Sequence, residues 1–278
     1  MVEPPPLPLY VADMSQRQGR NTPAKHNRSG ATAADGAWLW GKHAVKAALE
    51  NPNRHIRKLL LTSGALAELE SAARKRGLAP QAVDSETIAR ALPRDAVHQG
   101  IALLADPLPE LDLEEVLDRA TGHRRLVMLD QVTDPHNLGA ILRSAAAFGA
   151  AGVILQDRHS PSLTGVLAKA ASGAVEIVPV IHVVNLARTL DELGELGFWR
   201  LAFADEAAQP LHSLDLNRDL VLVLGAEGEG LRRLTRERCD IAVRLPTSAK
   251  MASLNVSNAA AVALYACAAT RPSEKLAD

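Results

Sequence analysis

From residue 126 onward the sequence repeats one device: a short, mostly apolar run followed by a stretch of helix-forming residues. The runs fall at 126–129, 152–155, 175–181, 200–204, 220–224 and 241–245. A strand without polar alternation has to be covered on both faces, and strands of this kind alternating with helices predict a mostly parallel sheet of an α/β fold. Pattern alone leaves this a plain doubly wound sheet. In such sheets ligands sit in the loops that follow the carboxyl ends of the strands, so three loops carry the weight of any functional reading.

The front of the chain is different. Residues 1–36 are rich in Pro, Arg, Asn, Ser, Gly and Thr with almost no apolar periodicity, which predicts a disordered tail because little surface is available to offset ordering entropy. Between 37 and 105 the pattern predicts a small α/β domain with helices at 43–50, 66–76 and 85–92 and strands at 56–62 and 100–105. Pro107 and Pro109 among acidic residues mark a linker over 106–122, and the sheet-forming domain is expected over 123–272.

Several classes of protein are disfavoured. No run approaches the eighteen or so apolar residues of a membrane span, and the proline-rich opening lacks the basic flank and apolar stretch of a secretory signal, so a cytoplasmic protein is expected. Cys239 and Cys267 are isolated, which argues against a disulfide framework or a metal site and for two thiols that fill space. The formal net charge of −1 excludes a uniformly basic nucleic-acid binder. Local charge is another matter: Lys42, Lys46, Arg54, Arg57 and Lys58 face a single acid, Glu50, between 38 and 58. Such an excess suits contact with phosphates, and it equally suits a solvated helix face.

The first loop follows the strand at 126–129 and reads DQVTDPHNLGAILRSAAAFGA. Asp134, Pro135 and Asn137 are helix-entry residues, so Asn137 is either a cap or a polar group held at a helix start. Arg143 has Gly139, Ala140, Ala146 and Ala147 as its helical neighbours, which leaves room beside its guanidinium for a ligand or another backbone; an ordinary surface arginine fits as well. The second loop, GAEGEGL at 225–231, has three glycines in the wrong order for a dinucleotide fingerprint and no Walker lysine, which disfavours a nucleotide-dependent oxidoreductase. Glu227 between those glycines is a turn residue or a catalytic one. The third loop, LPTSAKMASLNVSN at 245–258, places Ser253, Asn255 and Ser257 before an alanine-rich helix, more polar side chains than one cap requires.

Together, DPHNLGAILRSAAAFGA, LVLGAEGEGLRRLT and LPTSAKMASLNVSNAAAVALY resemble the three motifs of the SpoU-type 2′-O-ribose methyltransferases of the SPOUT superfamily, and GKHAVKAALENP with VHQG resembles that family's L30e-like substrate-binding domain. The resemblance implies a trefoil-knotted methyltransferase domain and S-adenosylmethionine as the methyl donor, held at the loops containing Gly225, Leu245 and Leu254. It places Asn137, Arg143, Glu227, Ser253 and Asn255 around the reacting centre and requires no metal. It further implies an RNA substrate, with the front domain pointing to a guanosine of large-subunit ribosomal RNA, and a homodimer formed through the knotted domain. The alanine faces of the helices after Asn137 and Ser257, Ala263 and Ala266 among them, are where that contact is expected. A tRNA ribose methyltransferase and a non-catalytic RNA-binding assembly factor are the competing readings. One departure is AKMA at 249–252, where close relatives more often carry Gly, Val or Ser.

Overall fold

A computed structural model describes residues 36–158, 165–248, 250–251 and 253–270. The tail at 1–36 therefore lies outside the described residues except for Gly36, as do Ala249 and Ala252 of the AKMA stretch. The front region runs β1 (Ala37–Trp40), α1 (Lys42–Glu50), β2 (Ile56–Leu61), α2 (Ser63–Lys75), β3 (Gln81–Ala82), α3 (Ser85–Ala91) and β4 (Ile101–Ala105). Its sheet has the order β1-β4-β2-β3, antiparallel except where β2 meets β3. Strand β2 shows why it holds: Leu59 and Leu61 point into the main core, while Leu60 points the other way into a small cluster with Trp40, Ile88, Leu92 and Ala102.

The stretch read as a linker carries α4 (Leu113–Arg119), which begins on a capping box between Asp112 and Glu115. Then come β5 (Arg125–Asp130), α5 (Pro135–Ala147), β6 (Gly152–Gln156), α6 (Gly165–Ala170), a 3₁₀ turn (Ala174–Glu176), β7 (Val180–Val183), α7 (Leu186–Glu195), β8 (Trp199–Phe203), β9 (Gln209–Pro210), a second 3₁₀ turn (Leu211–Ser213), β10 (Leu220–Gly225), α8 (Arg233–Glu237), β11 (Ile241–Arg244) and α9 (Val256–Ala269). The seven strands β5 to β11 form one sheet, parallel throughout, in the order β7-β6-β5-β10-β8-β11-β9.

Both faces of this sheet are covered, as all-apolar strands require. Leu126 and Met128 of β5 and Val221 and Val223 of β10 pack with α4 and α7 residues such as Val116, Leu186 and Leu190. Val127, Leu129, Leu220, Leu222 and Leu224 turn to the opposite face, where Leu138 and Ile141 of α5 and Ala260, Ala263 and Leu264 of α9 meet them. Burying each such leucine contributes roughly 1.5–3 kcal/mol, so the sheet centre is the stable heart of the molecule.

Two expectations change here. The apolar run at 175–181 is not one strand: Gly173 turns the chain at φ +90°, residues 174–176 make a 3₁₀ turn, and the strand starts only at Val180, after Pro179, which has no amide hydrogen for a ladder. The short edge strand β9 was not anticipated, because two residues ending in Pro210 carry no periodicity.

The front region lies against the α5 and α6 side of the large sheet. A side chain at Gly165 would meet Trp40 Cζ3 at 2.0 Å and the Trp38 carbonyl oxygen at 2.2 Å, and one at Gly173 would meet Ala47 Cβ at 2.6 Å. An ion pair completes the seam. Arg54 donates from Nη2 to Glu176 Oε1 at 2.5 Å, from Nε to both carboxylate oxygens at 3.1 Å, and from Nη1 to the Asp106 carbonyl at 2.8 Å. Asn51 Nδ2 adds a bond to Glu176 Oε2 at 2.9 Å, and the Arg54 and Glu176 side chains are only 8% and 2% exposed. This corrects the expectation that Arg54 contacts RNA phosphates: its guanidinium is buried and committed to Glu176.

Candidate active site at the strand ends

Strands β5 and β10 are neighbours, with Asp130 opposite Gly225, so the first and second loops leave the sheet side by side. Strand β11 lies two places beyond β10, yet α9, which follows it, packs against α5 and β10. The chain from 245 to 255 therefore has to return across the ends of β8 and β10, which brings the third loop to the first two.

The three loops meet through their side chains. Asn255 Nδ2 donates to Asn137 Oδ1 at 3.1 Å and also to Glu227 Oε1, and Asn137 Nδ2 donates to the same Glu227 oxygen at 3.4 Å. Local structure explains the placement. Asp134, not Asn137, caps α5, accepting from the His136 amide at 2.9 Å with Pro135 in the first turn; Asn137 is thereby free to reach across. Asn255 does two jobs: its Oδ1 accepts from the Ser257 amide at 2.9 Å and hydroxyl at 2.5 Å, capping α9, while its amide nitrogen bridges the other loops. Gly225 is required where it stands, since a Cβ there would lie 2.2 Å from the Gly230 carbonyl group.

Arg143 and Ser253 stand apart. Both are exposed, and among the described residues neither bonds to the Asn137, Glu227 and Asn255 cluster. Arg143 lies six residues beyond Asn137, about 9 Å along the helix and on another face. It belongs instead to an exposed stripe formed by His136, Arg143 and Ala147 on α5. A matching stripe on α9 carries Asn258, Val262 and Tyr265, and the Tyr265 ring meets Phe148 edge-on at 5.8 Å. Leu254 is 37% exposed and Leu245 half-buried, both at the mouth of the cluster's third loop.

An unforeseen pair underlies the glycine loop. Asp130, at the end of β5, is fully buried, and Arg232 answers it: the Arg232 amide donates to Oδ2 at 3.0 Å and Nε to Oδ1 at 2.7 Å. Arg232 Nη2 also reaches Gln156 Oε1 at the end of β6, at 2.7 Å. The sequence signal was an aspartate closing an apolar strand, since a carboxylate there needs a cation.

Of the basic residues in the front region, Lys42 pairs with Glu68, Lys46 lies 3.8 Å from Glu50, and Lys58 is exposed. Arg57 pairs with Asp106, which also bonds His55; the His55 bond first and the Arg57 guanidinium second hold the Asp106 carboxyl below its usual range. Cys267 is buried, and burial pushes the Cys239 thiol up to about 12, so Cys239 offers no thiolate at neutral pH. Among the described residues no His, Cys, Asp or Glu group is arranged to hold a metal, and no helix is long and apolar enough to cross a membrane. An open cleft at the opposite strand ends is lined by Arg124, Arg218 and Asp219, but Arg124 is bound to Asp219 and Arg218 stacks 4.9 Å over Trp199, so the polar convergence is at the loop end.

A parallel sheet with amide and carboxylate side chains gathered beyond its strand ends is the plan of an α/β enzyme. The SpoU rRNA Methylase family matches residues 124–265, and an RNA 2′-O ribose methyltransferase substrate-binding domain matches residues 38–111. The 23S rRNA (guanosine-2′-O-)-methyltransferase RlmB of Pseudomonas putida is 43% identical over 235 residues, covering 82% of this chain and 94% of that protein. RlmB of Ralstonia nicotianae is 44% identical over 232 residues, covering 82% and 93%. In fold, the chain is similar to the SpoU methyltransferase AviRb from Streptomyces viridochromogenes, solved in complex with AdoMet, with a TM-score of 0.73 at 23% identity over 90% of this chain and 96% of that one. The chain belongs to the SpoU rRNA methylase family.

Proposed function

We propose that the protein transfers a methyl group from S-adenosylmethionine to a ribose 2′-hydroxyl of RNA, on a guanosine of 23S rRNA. The observation that carries this reading is the meeting of Asn137, Glu227 and Asn255 from three separate loops beside the glycine loop. The RlmB relatives, matched over nearly their whole length, supply the substrate.

The residues present fit the cofactor. Gly228 and Gly230, at φ +82° and +67°, have open space at their α-carbons, so the loop backbone is approachable; Leu245 and Leu254 add apolar surface of the kind a purine buries. Bound S-adenosylmethionine supplies an electrophilic methyl carbon on a sulfonium, and the protein supplies orientation and electrostatics. Glu227, accepting from both asparagines, holds the three loops in one geometry. Arg143 stabilises the negative charge that develops on the attacking ribose oxygen; a guanidinium brings five N–H donors and no acceptor, so it acts as an electrostatic partner and not as the base. Ser253 lines the same mouth.

Arg143 lies on the exposed two-helix stripe, outside its own chain's cluster. A homodimer formed on that stripe, with Val262 and Tyr265 at its centre, sets each Arg143 at the border of a partner site. Ala263 is not part of it: the residue is fully buried against the chain's own core and Ala266 partly so. The return of 245–255 across the strand ends supports the trefoil knot, and the front sheet supports the L30e-like substrate-binding role, with Lys42, Lys46, Arg57 and Lys58 as phosphate contacts and a boundary near 106–122. A ribosomal RNA substrate supports a cytoplasmic site of action.

The test is transfer of labelled methyl groups to a 23S rRNA fragment. Wild-type protein should label it and Glu227→Ala should not, at unchanged melting temperature. Cofactor binding without any transfer to RNA would point to a non-catalytic assembly factor.

A further inference from the structure

The loop from Gly225 to Leu231 is held at both ends. At its start Gly225 still pairs with Asp130 across the β10–β5 ladder. At its end Arg232 takes both oxygens of the same Asp130, one with its amide and one with Nε, and spans to Gln156 on β6 with Nη2. Within the loop the Gly230 amide donates to the Ala226 carbonyl at 3.0 Å, closing a narrow turn with Glu227 at its tip. Asp130 thus holds both ends of the loop, its backbone beside the entry in the ladder and its buried carboxylate at the exit, and the guanidinium ties the exit to a second strand. A planar fork is suited to this, because two arms with fixed directions define the angle of the loop as well as its position.

We infer that Arg232 is a positioning residue for methyl transfer: clamped between Asp130 and Gln156, it holds the glycine loop so that Glu227 reaches Asn137 and Asn255. The inference rests on the reading of that cluster as the methyl-transfer centre. Arg232 itself touches none of the three side chains, so it acts through Glu227. A loop freed at one end loses its defined tip, and displacements of an ångström at a reacting centre cost large factors in rate.

Arg232→Lys keeps a cation beside the buried Asp130 and so keeps the fold, but a single ammonium cannot reproduce the two directed arms. It should speed amide hydrogen exchange across 226–231 by about tenfold and lower kcat by about tenfold, leaving KM for RNA and the melting temperature near wild type. In a Glu227→Gln background the same change should lower kcat less than twofold further, because the route through Glu227 is already cut. Gln156→Ala removes one arm while Asp130 stays paired; it should give a smaller rise in exchange in the same amides and serves if Arg232→Lys does not fold. Unchanged exchange at 226–231 in both variants, or a full multiplicative loss on top of Glu227→Gln, overturns the inference. Wild-type protein that transfers no methyl group would overturn the reading of the site, and the exchange data would still decide whether Arg232 holds the loop.

Discussion

The strand-end cluster and the seam between the front region and the large sheet are built from opposite materials. The cluster is made of short, solvent-reachable amides and a carboxylate, joined by hydrogen bonds between loops. The seam is made of glycines pressed against tryptophan and alanine and of a buried arginine–glutamate pair. Groups that must rearrange around a substrate remain exposed, whereas groups that only fix two bodies together are sealed from water. Damage to the first should appear in turnover and damage to the second in stability, which can be tested one residue at a time.

The largest effect is expected at the seam. Glu176→Ala leaves Arg54 buried without its carboxylate and should cost about 3–5 kcal/mol of stability by denaturant unfolding, with turnover per folded molecule retained. Replacing both partners by apolar residues, Arg54→Met with Glu176→Leu, should recover most of that loss. If Glu176→Ala instead abolished catalysis at full stability, the contrast between the two regions would be wrong.

Next comes Arg143→Ala, which should lower kcat by about 10²–10³-fold, the size typical of losing one charge-stabilising donor, at unchanged melting temperature. Arg143→Lys should restore little of it. If the arginine serves a partner's site, mixing Arg143→Ala with Glu227→Ala subunits should regain activity in hybrid dimers, because one of the two sites is then intact.

Gly225→Ala should come third. The added carbon must displace the Gly230 backbone, and a drop of about tenfold in S-adenosylmethionine affinity by calorimetry is expected.

Much of this was legible in the residues, and the limits were physical. Apolar runs without alternation disclosed the parallel sheet because burial on both faces leaves that mark; the six runs all contribute strands, shortened at 175–181 by Gly173 and Pro179. Strand order was not legible, since nothing local in 220–224 says that it inserts between 126–129 and 200–204. At the site, the resemblance brought Asn137, Glu227 and Asn255 together, and the structure joins those three. It could not show that Arg143 faces away from them on the outer stripe. Arg54 was misread because a basic run looks the same whether solvated or buried; its partner Glu176 is 122 residues away. Ala263 was misread similarly, as alanine suits a core and an interface alike.

The smallest effect lies away from both regions, where Arg200 on β8 binds Asp240 just before β11 through its amide at 2.8 Å and its guanidinium. That bonding holds the Asp240 carboxyl below its usual value. A lowered folded-state pKa means stability present above the unfolded value, near 4, and lost as pH falls through the folded one. Asp240→Asn should therefore lower stability by about 1 kcal/mol at neutral pH and leave less to lose on acidification, as read from unfolding curves between pH 7 and 3.

The most direct test of the central claim is where the methyl group goes. Purified protein, S-adenosylmethionine and unmodified 23S rRNA should yield 2′-O-methylguanosine at one position on nuclease digestion and mass spectrometry, and none with Glu227→Ala. A methyl group found on a base, or no methylated nucleoside from protein shown to bind the cofactor, would contradict the account.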